Sequence, residues 1–387
     1  MVDKQIKKLV KLEAARQIGV INLIASENYI SDGVLTALAS PFINKYAEGY
    51  PGARYYQGNS VVDEVEWLCI ERALKLYKLS PQKWHVNVQS LSGAPANFAL
   101  YYALVPLGEK IMGLALDSGG HLSHGHKVSL TGKLWSQVPY GVSRIDERLD
   151  YDEIRAIALR ERPKMIVTGY TAYSRIIDFK KFRAIADECG ALLHVDMSHF
   201  AGLVAGGVYP SPFRYADTVM TTTHKTLRGP RSAIIFVREE HAKKLDKTIF
   251  PGMYGGPHMN QIAAVAVCLF EATQPSFKRY AAQVVKNSKV LARSLQSLGW
   301  RIISGGTDTH LFLVDTWMEG KGIGGKEAAE RLEAAEIIVN KNAIPFDTRP
   351  PTDPSGIRLG TAAETTRGKK KEDMIEIAER IDSCLKS

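Results

Sequence analysis

Short apolar runs rich in β-branched residues alternate with helical stretches through the middle of this 387-residue chain. The pattern predicts strands at residues 85–89, 110–116, 165–169, 192–197, 217–223 and 233–237, and helices at 95–104, 151–160 and 179–189. Strands that are apolar throughout are typical of a sheet covered on both faces, and the intervening helices allow neighbouring strands to run parallel. We therefore predict an α/β fold around a mostly parallel sheet, which places ligands at the carboxyl ends of its strands.

The pattern changes after residue 275, where a long amphipathic helix is predicted at 276–298. Shorter strand-like runs and helices at 326–335 and 371–385 follow, which favours a smaller α+β domain. At the other end, the first 17 residues read as an amphipathic helix with Ile6, Leu9, Val10 and Leu12 on one side. We therefore predict an N-terminal helical arm at 1–45, a large domain at 46–275 and a small C-terminal domain at 276–387.

The composition is that of an ordinary globular protein, with 45% hydrophobic and 24% charged residues. No apolar run approaches the roughly 18 residues that span a bilayer, so no membrane association is expected. The four cysteines are far apart in the sequence, which fits a reducing cytoplasm better than a disulfide framework. The net charge of +9 is spread along the chain without a nucleic-acid-binding signature, so nucleic acid is not an expected partner.

The stretch TTTHKTLRGPR, residues 221–231, places one lysine where a predicted strand stops. A β-branched run precedes His224 and Lys225, and Gly229-Pro230 turns the chain after them. A lysine at the mouth of a sheet can be desolvated, which lowers its pKa and makes its amine nucleophilic toward a carbonyl. In a chain with 50 lysines and arginines the alternative is an ordinary surface lysine, so Lys225 needs partners elsewhere in the sequence.

Asp196 ends another apolar run, in ALLHVDMSHFAGL, so the pattern places it at the same edge of the sheet. A buried aspartate needs a cationic partner, and a protonated pyridine nitrogen is one candidate. A metal ion is the alternative, with His194 and His199 beside Asp196 as ligands.

The segment GGHLSHGHKV brings three histidines, His121, His124 and His126, within six positions. Such a cluster suggests a metal site, but no acidic residue or cysteine nearby completes a ligand set, and we expect no metal. An imidazole in this segment can instead stack on a flat ligand.

Three further segments carry candidate binding groups. Ser92, Gly93 and Ala94 form a turn that enters a predicted helix, whose free amides could hold a phosphate. Glu48 lies among the tyrosines of the loop KYAEGYPGARYYQG, a setting that suits a carboxyl group to proton transfer. Arg358 stands in the apolar run IRLGT, where an arginine emerging from a strand suits a bidentate carboxylate clamp.

Together these residues match what pyridoxal phosphate chemistry requires. The cofactor's aldehyde needs an amine, and its ring nitrogen needs an acidic partner so that the ring can accept carbanion electrons. Lys225 supplies the amine and follows Asp196, the acid, by 225 − 196 = 29 residues.

In its motifs the chain resembles the serine hydroxymethyltransferases. The shared motifs occur in that family's order and cover nearly the whole chain: LIASEN, KYAEGYPG, SGAPAN, GGHLSHG, VDMSHFAGL, TTTHKTLRGPR, GGP and SGIRLGT. The resemblance implies a pyridoxal phosphate enzyme of fold type I, like the aspartate aminotransferases, whose large domain has a mostly parallel seven-stranded sheet. It also implies reversible transfer of the serine hydroxymethyl group to tetrahydrofolate, through a cofactor aldimine, giving glycine and 5,10-methylenetetrahydrofolate.

The resemblance further implies roles for individual residues and a homodimer, or a tetramer, with sites shared across the interface. The residues implied to hold the cofactor are Lys225, Asp196, His121, His199, Thr171, Ser92, Gly93, Ala94 and Tyr46, with Gly255 and Gly256 from the neighbouring subunit. Those implied to act in catalysis are Lys225, Asp196, Glu48, Tyr56 and His224. Those implied to bind the amino acid are Arg358, Ser26, Tyr46, Glu48 and Tyr56, and those implied to contact the folate are Leu116, Gly120, His121, Leu122 and Asn342.

The chain departs from the family's pattern at a few positions, and alternatives stay open. Ala94 stands where a serine is common, and Thr352 lies near where a phenylalanine often packs on the pterin, so a modified pterin remains a possible acceptor. A folate-independent aldolase of β-hydroxy amino acids is the alternative enzyme on this fold. A non-catalytic, basic RNA-binding protein is the alternative from another class.

Overall fold

A seven-stranded sheet forms the centre of the larger part of this computed structural model, which describes residues 3–386. Numbered in chain order, the strands are β1 Ile21–Asn22, β2 Gly49–Tyr50, β3 Ala53–Arg54, β4 Trp84–Asn87, β5 Lys110–Leu114, β6 Ser136–Tyr140, β7 Met165–Gly169, β8 Leu192–Asp196, β9 Thr218–Thr222, β10 Ala233–Arg238, β11 Arg301–Ile302, β12 Leu311–Asp315, β13 Ile337–Ile338, β14 Asn340–Asn342 and β15 Gly356–Gly360. The large sheet has the order β4-β10-β9-β8-β7-β5-β6. Neighbouring strands from β9 to β6 run parallel, and β10 is antiparallel to both of its neighbours. The predicted α/β fold with a mostly parallel sheet is confirmed.

The helices surround this sheet and a smaller one. They are α1 Lys4–Gly19, α2 Asp32–Leu38, α3 Ser60–Leu76, α4 Gly93–Leu104, α5 Leu130–Leu134, α6 Tyr151–Glu161, α7 Phe179–Cys189, α8 Ala201–Ala205, α9 Ala242–Lys247, α10 Met259–Ala272, α11 Pro275–Ser297, α12 Gly325–Ala334, α13 Ala362–Thr366 and α14 Lys371–Lys386. Short 3₁₀ turns lie at Pro41–Asn44, Leu122–His124, Glu239–His241, Ile303–Gly305 and Met318–Gly320, and a π-helical turn at Thr248–Met253.

The central strands are mainly apolar because alternate side chains enter two different cores. In β7, Met165 and Val167 pack in one core with α4, while Ile166 packs in the other with α7. Side chains along a strand alternate between its two faces, so a strand covered on both faces is mainly apolar, and the few polar residues inside it, such as Thr168 in β7 and His194 in β8, are buried. The candidate residues Asp196 and Lys225 were predicted at the strand ends, and Asp196 is the last residue of β8.

The smaller part of the structure is built on an antiparallel sheet with the order β11-β12-β15-β14. The long helix α11 joins the two parts, because Phe277 and Val284 pack in the core of the large sheet and Leu291 and Leu295 in the core of the small one. The N-terminal segment also reaches the small part, where β1 pairs in parallel with β13. The three-domain division with boundaries at 45/46 and 275/276 stays a prediction.

Helix α1 matches the helix predicted at the N-terminus, and its N-cap Asp3 accepts hydrogen bonds from the amides of Gln5 and Ile6. None of its residues is buried within the chain, and the predicted apolar side is more than half exposed at each of Ile6, Leu9, Val10 and Leu12. None of the helices in residues 3–386 has the length and apolar character that a bilayer crossing requires.

Candidate active site

A cavity of about 400 Å³ opens at the carboxyl ends of the parallel strands. This is where the sequence analysis placed the ligand, and the cavity brings together eleven of the predicted site residues. They are Ser26, Ser92, Gly93, Ala94, His121, Thr171, Asp196, His199, His224, Lys225 and Arg358. They come from segments spread across more than 300 positions of the sequence, so the fold assembles a single site from distant parts of the chain.

Lys225 follows the end of β9 in a tightly hydrogen-bonded turn. The Gly229 amide donates to the Thr223 carbonyl at 2.7 Å, and the Lys225 carbonyl accepts from Asn28 Nδ2 at 2.9 Å. Burial lowers the pKa of the Lys225 amine to about 8; Asp196 opposes the shift, and the nearby cations Arg358 and Arg231 add to it. More of the amine is therefore neutral at physiological pH than in an ordinary lysine, which favours attack on a carbonyl.

Asp196 is the last residue of β8 and is 6% exposed. Its Oδ2 accepts from Asn97 Nδ2 at 2.9 Å and lies 3.1 Å from His124 Nε2, while its Oδ1 accepts from the Ser198 amide. Burial acts to raise the pKa of this carboxyl, but the His124 contact and the charge of Lys225 outweigh it and hold the pKa well below its usual range. Asp196 is therefore a buried anion fixed at both oxygens.

A glycine beside Asp196 allows this arrangement. Gly169 ends β7 opposite Asp196 in the strand register, with φ of +137°. A Cβ at this position would lie 2.1 Å from the Asp196 carbonyl oxygen, so a larger residue would push the two strand ends apart.

The partners of Asp196 were missed by the sequence analysis. His124 had been considered only as a metal ligand or stacking group, and Asn97 lay unassigned in the motif SGAPAN. Asn97 Oδ1 also contacts His194 Nε2 at 3.0 Å, so His194 lies behind the site. The available signal was that an apolar helix carried one asparagine, which would need buried polar partners.

No group of three or more histidine, cysteine or acidic side chains within residues 3–386 is arranged to hold a metal ion. His194 and His199, the alternative metal ligands beside Asp196, have other partners. His194 Nδ1 contacts Thr218 Oγ1 at 2.9 Å, and His199 Nδ1 contacts His310 Nε2 at 3.3 Å in a stacked pair.

The histidines around the cavity are held neutral by burial and by the neighbouring cations. Burial, with lesser effects from His124, Lys225 and Arg358, lowers the pKa of His121 to about 4. Burial and Lys225 lower the pKa of His224 to about 3, and burial holds the pKa of His199 well below its usual range. A neutral imidazole can pack against an aromatic ligand without adding a charge to the site.

The start of α4 and two threonines form a polar lining suited to an anionic, oxygen-rich ligand. The Ser92 side chain makes no capping hydrogen bond, and Pro95 has no amide hydrogen, so the amides of Gly93 and Ala94 are available at this helix end. Thr171 Oγ1 and Thr222 Oγ1 are buried without a hydrogen-bond partner among the described residues. Such orphaned groups mark where a ligand would complete the hydrogen bonding.

Arg358 lies in the middle of β15 and is 6% exposed. Its Nε donates to Asn340 Oδ1 at 3.0 Å and its Nη1 to the Thr171 carbonyl at 2.8 Å. Burial lowers the pKa of the guanidinium to about 10, which leaves it charged at neutral pH. A charged fork at the cavity wall is suited to a carboxylate.

Five predicted site residues form a second group outside the cavity lining. Tyr46 Oη donates to Glu48 Oε1 at 3.2 Å, and the rings of Tyr46 and Tyr56 meet edge to face at 5.0 Å. Gly255 and Gly256 pack against the same side chains, since added Cβ atoms would lie 3.2 Å from Glu48 Oε1 and 3.4 Å from the Tyr46 ring. The structure therefore keeps these residues together but does not bring them to Lys225 of the same chain.

Of the five residues predicted to contact a folate, His121 lines the cavity, and the other four lie outside its lining. Leu116 and Leu122 are 41% and 43% exposed on the segment that carries His121, and Gly120 directly precedes His121. Asn342 lies on β14, two residues beyond Asn340. Two exposed leucines beside the cavity mouth are an apolar surface for a flat ligand.

The chain is similar to known proteins over nearly its whole length. A family model described as serine hydroxymethyltransferase matches residues 1–381. Relatives named serine hydroxymethyltransferase from Desulfotalea psychrophila and Acidobacterium capsulatum are each 53% identical over 383 residues, which cover 99% of this chain and 88% of theirs. One of the same name from Sorangium cellulosum is 51% identical over 386 residues, covering 100% of this chain and 90% of its own.

Proposed function

We propose a function for this site from the premise that the chain belongs to the serine hydroxymethyltransferase family. The chain is a pyridoxal phosphate-dependent transferase, which moves the hydroxymethyl group of serine reversibly to tetrahydrofolate and gives glycine and 5,10-methylenetetrahydrofolate. The observation that carries the assignment to this cavity is that Lys225, Asp196 and Arg358 line it together. An amine, a buried acid and a carboxylate clamp are the three groups that the reaction needs.

The residues of the cavity fit pyridoxal phosphate. Lys225 would hold its aldehyde carbon, and Asp196 would pair with its ring nitrogen. Ser92, Gly93 and Ala94 would hold its phosphate at the start of α4, beside Thr222, whose Oγ1 has no hydrogen-bond partner within residues 3–386. Thr171 and His199 would lie near the ring oxygen; Thr171 Oγ1 likewise has no partner in the described part of the chain. The neutral His121 would pack on the ring face.

The bound cofactor supplies an electron sink for the carbanion left by Cα–Cβ cleavage. The chain's own residues bind, orient and move protons. Arg358, assisted by Ser26, binds the substrate carboxylate, and Asp196 stabilises the positive charge at the ring nitrogen. Glu48 takes the proton from the serine hydroxyl, with Tyr46 and Tyr56 beside it, and His224 tunes the choice of substrate. Leu116, Gly120, Leu122 and Asn342 contact the folate.

Because Glu48 does not lie near Lys225 of the same chain, we propose a homodimer in which each active site contains residues of both subunits. Tyr46, Glu48, Tyr56, Gly255 and Gly256 would serve the cavity of the partner subunit. Exposed apolar side chains support an interface, because α1 has no buried residue and Tyr55 and Trp67 are 72% and 53% exposed. We also propose a cytoplasmic location, which suits a chain in which none of the cysteines of residues 3–386 forms a disulfide.

The function is tested by incubating the purified chain and pyridoxal phosphate with serine, with and without tetrahydrofolate. We expect tetrahydrofolate to accelerate serine cleavage by about tenfold or more, because the acceptor takes up the one-carbon unit, and methylenetetrahydrofolate to form in equal amount to glycine. Cleavage of serine or threonine at the same rate without the folate would instead indicate the aldolase alternative. A colourless protein that binds RNA and does not take up the cofactor would indicate the non-catalytic one.

The shared site is tested by co-expressing Lys225→Ala and Glu48→Gln chains. Each variant alone is expected to be nearly inactive, but a mixed dimer contains one site with both residues intact. Random pairing makes half of the dimers mixed, so about a quarter of the wild-type activity should return. Pairing Lys225→Ala with Arg358→Ala is the matched control: Arg358 lines the same chain's cavity, and no activity should return. If the two pairs recovered the same activity on co-expression, the shared site would be contradicted.

A further inference from the structure

Arg358 is a buried cation whose protein partners are all neutral. Its two hydrogen bonds go to the Thr171 carbonyl and to the amide oxygen of Asn340. In the part of the chain between residues 3 and 386, no acidic side chain forms an ion pair with it. Leaving a buried charge without a counter-ion costs free energy, so such a residue calls for a specific explanation.

Another buried arginine of this chain shows the usual solution. The Arg54 side chain is 3% exposed and contacts two carboxylates, Asp63 Oδ1 at 2.8 Å and Glu66 Oε2 at 2.6 Å. Arg54 therefore has its counter-ions within the protein. Arg358 differs from Arg54 in two ways. It lines a cavity, and its side-chain partner is the neutral Asn340 instead of a carboxylate.

Asn340 is held so that its oxygen faces the guanidinium. It lies opposite Arg358 in the register between β14 and β15, which puts both side chains on one face of the small sheet. Its Nδ2 donates to the Lys341 carbonyl at 2.9 Å, so the other end of the amide, Oδ1, is directed to Arg358 Nε. The guanidinium plane is thus fixed by Asn340 at one edge and by the Thr171 carbonyl at another.

This arrangement leaves the correct donors for a carboxylate. A guanidinium has five N–H donors, and two of them are used by Asn340 and Thr171. The remaining three lie on Nη1 and Nη2, enough for a bidentate carboxylate contact, and the full positive charge is still unpaired.

We propose that Asn340 is a positioning and specificity residue, which orients Arg358 without neutralising it and so reserves its charge for the carboxylate of the amino-acid substrate. The proposal rests on the proposed function, in which that substrate is serine or glycine. An aspartate at position 340 would have nearly the same shape and would still accept from Nε, but it would supply the counter-ion within the protein. The substrate carboxylate would then be attracted less strongly, because the charge of Arg358 is already paired, and it would be repelled by the new negative charge.

The test is Asn340→Asp, with ligand binding to the cofactor-loaded protein measured by titration calorimetry. We expect the Kd for glycine to rise by roughly 30-fold or more, the range for a disrupted buried charge pair. The Kd for methylamine, which has an amino group and no carboxylate, should stay within about twofold, because it does not use Arg358. The control Gln296→Glu makes the same neutral-to-acidic change on the exposed side of α11 and should change neither value.

The outcomes separate the proposal from a structural role. If Asn340 serves only to hold β14 and β15 together, aspartate keeps its hydrogen bond, and unchanged glycine binding overturns the proposal. Loss of glycine and methylamine binding together also overturns it, because the defect is then not specific to the carboxylate. If the wild-type chain does not bind glycine, the proposed function fails instead.

A second pair of variants covers the case in which Asn340→Asp does not fold. Asn340→Ser keeps a small neutral oxygen and Asn340→Ala keeps none, so glycine should bind more weakly to the alanine variant, with methylamine binding and the melting temperature alike in the two. Equal and wild-type glycine affinity in both variants would overturn the orienting role of Asn340.

Discussion

Replacing Lys225 with alanine is expected to reduce turnover by roughly 10⁴-fold or more, the range seen when a covalent nucleophile is removed from an enzyme. Lys225 is the only lysine among the residues that line the cavity, so the substitution removes the only lysine amine of that lining. It also removes the covalent attachment of the cofactor, so the visible absorbance of the lysine-bound form should disappear. Borohydride reduction of the wild-type protein, followed by mass spectrometry, should place the cofactor on the peptide that contains residue 225.

The matched control is Lys243→Ala, which removes an exposed lysine of α9 and should leave absorbance and turnover unchanged.

The pKa of Lys225 can be tested in a second experiment, on the wild-type protein without cofactor. Because burial lowers the pKa to about 8, the rate of pyridoxal phosphate attachment should rise with pH to a midpoint near that value. A Lys225→Ala protein that kept its turnover and its absorbance band would contradict the assignment.

The strands and helices were predictable wherever the sequence pattern was undisturbed. The strand at 165–169 and the helix at 179–189 have the predicted bounds, because a fully apolar run and an amphipathic run each stand between clear breaks. The edge strand β6 was not recognised among the predicted strands, since its sequence SQVPY contains Pro139 and exposed polar residues. Proline is tolerated there because β6 pairs only with β5 and needs no hydrogen bonds on its other side.

The site was predictable where a strand ends in a chemically informative residue. Asp196 ends β8 and Lys225 follows β9, and neighbouring parallel strands bring their carboxyl ends to one edge. The groups that fix them were not predictable, because their contacts depend on how separate elements pack. Asn97 reaches Asp196 from α4, 99 positions earlier in the chain, and its apolar surroundings in the sequence indicate that it needs a buried polar partner but not that the partner is Asp196.

Three buried histidines in and behind the cavity have a common effect on its charge. His194, His199 and His310 are buried, and burial keeps the pKa of each well below neutrality, with His194 and His310 both at about 3. They therefore complete hydrogen bonds without adding positive charge. The charged residues that line the cavity are Lys225, Arg358, Arg231, Asp196 and Glu27. Lys225, Arg358 and Asp196 are the groups among them that the proposed reaction uses.

Replacing Asp196 with asparagine is expected to lower turnover by about a thousandfold, the range for losing a preorganised charge in an active site. Asparagine has nearly the same size, and its oxygen can still accept from the Ser198 amide. It cannot supply the negative charge that stabilises a protonated ring nitrogen, so the carbanion left by Cα–Cβ cleavage loses its electron sink. Cofactor binding should persist, because Lys225 and the start of α4 are unchanged, and turnover should be measured at saturating pyridoxal phosphate.

The asparagine would also turn an amide nitrogen toward Asn97 Nδ2, a donor that now bonds to Asp196 Oδ2. Asn97 cannot reverse its amide freely, because its Oδ1 contacts His194 Nε2. Some loss of thermal stability is therefore expected, and it has to be separated from the loss of charge. Asp217→Asn provides the comparison, since Asp217 Oδ2 accepts from Arg183 and from the Leu193 amide but does not line the cavity. If both variants lose stability and only Asp196→Asn loses turnover at a temperature where both are folded, the charge is responsible. Turnover of Asp196→Asn within about tenfold of wild type would show that the ring nitrogen does not depend on this carboxylate.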